Sequence, residues 1–215
     1  MKIIFLGPPG AGKGTQSAII SKKYKIPTIS TGDIIRNEIR AHSELGVAAE
    51  TFIKKGELVP DDVVIGIIRE RLTKDDCKNG FILDGFPRTV TQAEALIHMN
   101  VPIDLVLDLQ ICDEAIIERM SGRLYCSHCG ATYHRLYHPP LHSMLCDQCH
   151  NALSVRDDDQ PQVVRDRLRV YHNQTKPLEK FYSDIGKLFI IHADKKIDEI
   201  TDEIVCVLDK VEFGK

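Results

Sequence analysis

The residues best able to do chemistry begin at 7–15, read as Gly-Pro-Pro-Gly-Ala-Gly-Lys-Gly-Thr. Gly7, Gly10, Gly12 and Gly14 carry no Cβ, so successive backbone N–H groups can turn into one concavity and hold phosphate oxygens. Lys13 brings a full positive charge to the outer phosphates. The general pattern sets Ser or Thr directly after the lysine; here Gly14 intervenes and Thr15 carries the hydroxyl. A second chemistry is written in Cys126-Ser-His-Cys129 and Cys146-Asp-Gln-Cys149. Four thiolates in two such pairs close a tetrahedral Zn2+ site. A filled four-sulfur site has no open position, so its role is structural. A segment this short has too little core to fold on apolar burial alone, and metal binding supplies the missing free energy. His128, His134, His138, His142 and His150 lie around it and are expected to be exposed polar loop residues.

Phosphoryl transfer asks for charge stabilisation, alignment and water exclusion. Arginine suits it, because its planar fork grips phosphate oxygens and stays charged. Arg36, Arg88, Arg119, Arg123, Arg156 and Arg167 fall near loops or insertions. Arg88 is the best placed, in Asp84-Gly-Phe-Pro-Arg88 just past a buried-type strand. Asp84, at that strand's end, is a natural carboxylate for Mg2+ and its waters. The run Asp157-Asp158-Asp159 reads as a solvated hinge and helix cap.

The elements that must position these groups alternate. Ile3 to Leu6 is a short strand, and a helix runs from near Thr15 to Tyr24. Thr28 to Ser30 is a brief strand, and Ser30 or Thr31 caps a helix with Ile34, Ile35 and Ile39 at helical spacing. Gly46 breaks the pattern, so a further helix is placed at Val47 to Lys55, ended by Gly56. Pro60-Asp61-Asp62 opens the next, with Val63, Val64, Ile67, Ile68 and Leu72 on its apolar side. Phe81 to Leu83 reads as a buried strand, Thr89 to Met99 as a helix, Asp104 to Leu109 as a strand and Asp113 to Met120 as a helix. From Gly122 to Asp159 composition shifts to Cys, His, Pro and Tyr with little helical periodicity. Pro161 starts a long helix that Pro177 ends or bends. A strand at Leu188–Ile191 and a terminal helix marked by Ile197, Ile200, Ile204 and Val207 complete the chain. Strands alternating with helices imply an α/β fold: a parallel sheet with helices on both faces and ligands beyond the strands' carboxyl ends.

A chain of 215 residues with 43% apolar content fits one main core plus small insertions. A net charge of -3 argues against a general nucleic-acid binder. No apolar run approaches the roughly 20 residues of a membrane span. Met1-Lys2 leads at once into a strand, without the layout of a signal peptide, so a cytoplasmic protein with reduced thiols is expected. Cys77, Cys112 and Cys206 stand alone and are expected to be buried as small apolar side chains.

Gly7 to Gln16, Ser-Thr-Gly-Asp at 30–33 and Phe-Ile-Leu-Asp-Gly-Phe-Pro-Arg-Thr-Val-Thr-Gln at 81–92 together closely resemble the adenylate kinases. The likeness continues through Gly122-Arg123, the four-cysteine insertion, Arg156, Arg165 to Leu168 and Tyr171-His172. It includes Gly14 in place of the usual hydroxyl residue. The insertion resembles the long bacterial lid in its zinc-carrying version. The resemblance implies a P-loop core at 1–30, 60–121 and 160–215, a monophosphate-binding insertion at 31–59 and a zinc-bearing lid at 122–159. It implies Mg2+-dependent transfer from ATP to AMP, giving two ADP, by a monomer without nucleic-acid or membrane partners. Gly10, Ala11, Gly12, Lys13, Gly14 and Thr15 would hold ATP phosphates, with Arg119, Arg123, Thr132, Tyr133 and Lys195 as further ATP positions. Thr31, Arg36, Glu57, Leu58, Val59, Gly85, Phe86, Pro87, Arg88, Gln92, Arg156 and Arg167 match AMP positions, with Gln92 reading the adenine edge. Lys13, Arg88, Arg123, Arg156 and Arg167 would be catalytic, Asp84 would serve Mg2+ through waters, and Cys126, Cys129, Cys146 and Cys149 would hold Zn2+. Two rivals are a UMP/CMP-type kinase, which usually has a short lid, and a nucleotide switch without turnover, for which Arg36, Arg88 and Gln92 would be coincidental.

Overall fold

In the computed structural model, which describes residues 1–213, strand β1 (Lys2–Leu6) leads into the glycine loop and helix α1 (Lys13–Tyr24). The final two residues of the core segment expected at 160–215 lie outside the described residues. β2 (Thr28–Ser30), β3 (Phe81–Asp84), β4 (Leu105–Gln110) and β8 (Leu188–His192) join β1 in a sheet ordered β2-β3-β1-β4-β8. All of its pairings are parallel. The register sets Phe5 beside Asp84 and Leu6 beside Asp108. Two carboxylates therefore flank the point where the glycine loop leaves the sheet.

Alternation along β1 explains the layers. Ile4 and Leu6 face one apolar cluster with Leu83, Phe86 and Val106, whereas Ile3 and Phe5 face another with Ile82, Leu105 and Leu107. α4 (Asp61–Leu72), α5 (Val90–His98) and α8 (Pro177–Asp184) cover the first; α1 and α9 (Ile197–Phe213) cover the second.

Between β2 and α4 stand α2 (Thr31–Arg40) and α3 (Glu44–Lys55). The Ser30 hydroxyl caps α2 by accepting the Asp33 N–H at 3.3 Å. α3 starts earlier than the expected Val47, because Ser43 caps it through the Gly46 N–H at 3.0 Å. Gly46 is not a break: a Cβ there would lie 2.2 Å from the Glu38 carbonyl oxygen, so glycine permits α2 and α3 to meet closely.

α6 (Asp113–Ser121) leads to a separate three-stranded antiparallel sheet of β5 (Arg123–Cys126), β6 (Thr132–His134) and β7 (Leu153–Ser154). α7 (Pro161–Val170) passes through a π-helical turn at Tyr171–Thr175 into α8. The helical run that starts at Pro161 is thus interrupted just before Pro177, as expected, and Pro177 also opens α8, where at the first position the missing N–H costs nothing. Cys77 is buried as expected, but Cys112 and Cys206 are exposed. Cys112 precedes α6 on a loop, and Cys206 falls on the outer side of α9.

Candidate functional site

Gly12 caps α1 with φ 101°, a left-handed conformation that other residues adopt at a cost. It offers no side-chain cap, so the first-turn N–H groups of α1 stay available for an anion. Lys13 folds back across the loop. Its Nζ donates to the Gly7 and Pro8 carbonyls, both at 2.7 Å. An ammonium has three donors, so one is left for a ligand. Burial pushes the Lys13 pKa down to about 8, aided by Arg88 and Arg167 and opposed by Asp84 and Asp108. A polyphosphate here relieves an existing electrostatic cost.

Lys13 opens onto a cleft of about 1020 Å³, open to solvent, that also receives Thr31, Arg36, Glu57, Leu58, Val59, Gly85, Pro87, Arg88, Gln92 and Arg167. Phe86 is fully buried beside it, in the sheet's core. Arg88 is held on both sides. Its Nε donates to the Gly85 carbonyl at 2.9 Å, and its own carbonyl accepts from Thr175 Oγ1 at 2.8 Å. The π-turn thus holds the arginine's backbone. The Thr31 hydroxyl donates to the Gly85 carbonyl at 2.7 Å.

The remaining arginines converge through acidic partners that sequence reading missed. Arg36 pairs with Asp33 at 2.6 Å. Arg167 pairs with Asp158 at 2.8 Å, and Arg123 grips Asp159 with Nε at 2.7 Å and with Nη2. Asp158 and Asp159 are buried, so the expected solvated hinge is instead an ion-pair cluster in a single 3-10 turn at Asp157–Asp159. Burial opposes the charge of Asp158, but four surrounding arginines override it and lower its pKa. Arg156 lies 4.0 Å from the Tyr125 ring centroid and 4.0 Å from Asp33 Oδ1. Burial and repulsion from Arg36 and Arg123 push its pKa down to about 9, and burial takes Arg167 to about 10. Cations held this close to one another favour an arriving anion. Arg36 also stands 5.8 Å from the Tyr125 centroid, so the segment around β5 and helix α2 face each other across this one tyrosine.

The outlying positions fall elsewhere. Arg119 donates to the Ala193 carbonyl at 2.7 Å, two residues before Lys195. Lys195 itself pairs with Glu203 at 2.6 Å. Thr132 and Tyr133 lie on β6, and Tyr133 is buried with the cysteines. Asp84 ends β3 facing the loop, since a Cβ on Gly14 would lie 3.6 Å from its Oδ2. Burial raises its pKa and Lys13 opposes the shift. Its oxygens face the phosphate loop, which fits a carboxylate that holds the waters of Mg2+.

Cys126, Cys129, Cys146 and Cys149 have all four sulfurs within 4.8 Å of one another. Zinc–sulfur bonds of about 2.3 Å in a tetrahedron need sulfur separations of roughly 3.8 Å, so the cluster is compatible with such an ion. The Asp147 N–H donates to Tyr133 Oη at 2.9 Å, and that oxygen lies 3.5 Å from Cys146 Sγ, to which it would donate when the sulfur is a thiolate. Four of the nearby histidines are exposed. His134 is not: its ring stacks on Tyr137 at 4.4 Å, and its Nδ1 accepts the N–H groups of Leu136 and Tyr137.

The adenylate kinase family model matches residues 5–187, a span that includes the loop, the arginine cleft and the cysteine cluster. The chain belongs to the adenylate kinase family. It is 51% identical to an adenylate kinase of Methanosarcina barkeri, over 98% of this chain and 99% of that one. It is likewise 51% identical to an adenylate kinase of Alkaliphilus oremlandii, over 97% of this chain and 98% of that one. A third, from Archaeoglobus fulgidus, is 48% identical over 98% and 99% of the two chains. Asp33, Asp158 and Asp159 lie within nine residues of an arginine assigned to phosphate, but so do Asp84, Asp157 and Asp166, so nearness in sequence does not single them out. Nor did any sequence signal mark Tyr125.

Proposed function

We propose that this member of the family catalyses reversible Mg2+-dependent phosphoryl transfer from ATP to AMP, giving two ADP. The observation that carries the reading is one cleft lined at once by Lys13, by Arg36, Arg88 and Arg167, and by Gln92 and Val59. That combination suits a polyphosphate, a transferring group and an acceptor nucleotide in one site. The acceptor is itself an anion, so the chemistry needs no strong general base. It needs charge neutralisation and alignment. Lys13 and the α1 N-terminus would hold the donor phosphates, and Arg36 and Arg88 the acceptor phosphate. Arg123, Arg156 and Arg167 would close over the transferring group. The remaining carried-over positions keep their proposed roles: Gly10 to Thr15 on donor phosphates, Arg119, Thr132, Tyr133 and Lys195 near the donor base, and Thr31, Glu57 to Val59, Gly85 to Pro87 and Gln92 on AMP. Asp84 would hold Mg2+ through waters; the ion would neutralise charge on the transferring phosphate.

The domain division at 31–59 and 122–159 is part of the same proposal. The first would close over AMP and the second over ATP, expelling water and preventing hydrolysis. The meeting of Arg36, Asp33, Tyr125 and Arg156 supports an apposed arrangement of the two. Zn2+ on the four cysteines would stiffen the lid without touching substrate. Among the described residues no helix is long and apolar enough to cross a membrane. We further propose a cytoplasmic monomer, since metal-binding thiols need a reducing compartment and one chain supplies every cleft residue named.

An acceptor panel tests the reading. Purified protein with Mg-ATP is offered AMP, CMP, UMP, GMP or no acceptor, and diphosphate formation is followed. Fast ADP formation with AMP alone is expected. Preference for CMP or UMP would overturn the substrate while keeping the mechanism. ATP loss without acceptor, or no turnover, would favour a nucleotide switch.

A further inference from the structure

Gln92 is 1% exposed and lines the cleft, as do the apolar Val59, Val64 and Ile53. Each end of its amide is half used. Nε2 donates to Asp61 Oδ1 at 2.7 Å, and Oε1 accepts the Arg88 N–H at 2.7 Å. Thr89 Oγ1 donates to Asp61 Oδ2 at 2.9 Å and accepts the Gln92 N–H at 3.2 Å. Asp61, in the first turn of α4, is thus tied to the first turn of α5 through both oxygens.

Chemistry decides which end of the amide is nitrogen. An ionised carboxylate only accepts and a backbone N–H only donates. A flipped Gln92 would set oxygen against the Asp61 oxygen and N–H against the Arg88 N–H. The observed orientation leaves one amide N–H and one carbonyl lone pair unspent, side by side and in a defined order. An adenine edge offers an amine donor at N6 and an acceptor at N1, which complements such a pair. A 6-oxopurine offers the reverse, an acceptor at O6 and a donor at N1, which complements a flipped amide.

We propose that Asp61 is a positioning residue that sets base specificity: by pinning the Gln92 amide it makes the acceptor site read adenine and reject 6-oxopurines. This rests on the reading of the chain as an AMP-phosphorylating enzyme. Asp61 touches no substrate in this account. Its effect passes through Gln92.

The test is kcat/KM for AMP and for IMP, at saturating Mg-ATP, in the wild type, Asp61→Asn, Gln92→Ala and the double variant. Asn at 61 can donate as well as accept, so it removes one of the two clashes that forbid the flip. The AMP-to-IMP ratio is expected to fall about tenfold in Asp61→Asn, the scale of one mismatched buried hydrogen bond. KM for ATP is expected to stay unchanged. In the Gln92→Ala background the Asp61 substitution is expected to have no further effect on the ratio. An unchanged ratio in folded Asp61→Asn overturns the proposal, and so does an equal shift with Gln92 already removed. A wild type that does not phosphorylate AMP at all overturns the parent reading, and the proposal falls with it. If Asp61→Asn does not fold, Asp61→Ser keeps a hydroxyl that can donate or accept and carries the same comparison.

Discussion

Among the described residues, the sheet packs eighteen buried residues into the cluster on one face and fourteen into the cluster on the other, whereas the cluster around β5, β6 and β7 holds five, two of them cysteines. The two regions are held together by different physics. Apolar burial around β1, β3 and β4 is large enough to hold buried charge: Lys13, Asp84 and Arg88 stay in place although burial disfavours each of them. The four-cysteine region has no such reserve, and the geometry of its sulfurs fits a metal that would supply the missing free energy. Stability and function are therefore separable in this chain. The expectation is that charged cleft side chains can be lost with less harm to the fold than to rate, and the four cysteines the reverse.

The largest expected effect is on rate, in the core. Lys13→Ala should lower kcat by about 10²–10³-fold, the scale of losing one preorganised charge at a transferring group. Its melting temperature should hold or rise, because a buried charge is removed. A large loss of melting temperature would break the separation. Removing the metal by chelation should do the opposite. The lid should melt well before the core, with turnover of the still-folded fraction changed less than about tenfold. A melting temperature unmoved by chelation would show that no bound metal contributes to folding.

Acidity sharpens the contrast next. Lys13 has its pKa lowered from 10.5 to about 8 in the folded protein. Rising pH should therefore reduce kcat/KM for Mg-ATP above about pH 8, approaching tenfold per unit as the free enzyme loses its ammonium. For stability the sign is reversed. The folded state binds this proton less well than the unfolded chain, so this lysine's penalty is full below about pH 8 and is relieved between there and 10.5. A rate profile flat from pH 7 to 10 would remove Lys13 from the mechanism. The smallest effect should come from Tyr133→Phe, which deletes the hydroxyl on Cys146 Sγ. Zinc affinity should fall about tenfold, with KM for ATP little changed. A rise in KM for ATP with metal affinity intact would show that the hydroxyl, and not only the ring, serves the nucleotide site.

The sequence by itself determined the parallel α/β core, because short β-branched runs alternating with helical periods have few other solutions. It determined the phosphate loop, whose chemistry is local: glycines, one lysine and a helix start all lie within nine consecutive residues. The cysteine spacing was legible for the same reason. The start of α3 departs from the expected Val47 because the Ser43 cap and the close approach at Gly46 depend on the neighbouring helix. Only the tertiary structure decided the rest. Asp158 and Asp159 look like solvent-facing charge until Arg167 and Arg123 fold over them. Cys112 and Cys206 have the same side chain as Cys77 but face outward. Asp61 lies thirty-one residues from Gln92, and nothing in either segment shows that one carboxylate orients the other's amide. Hydrogen bonds and ion pairs between distant segments depend on where the sheet brings chain ends together. That is a property of the packed layers, and no local pattern of residue types encodes it.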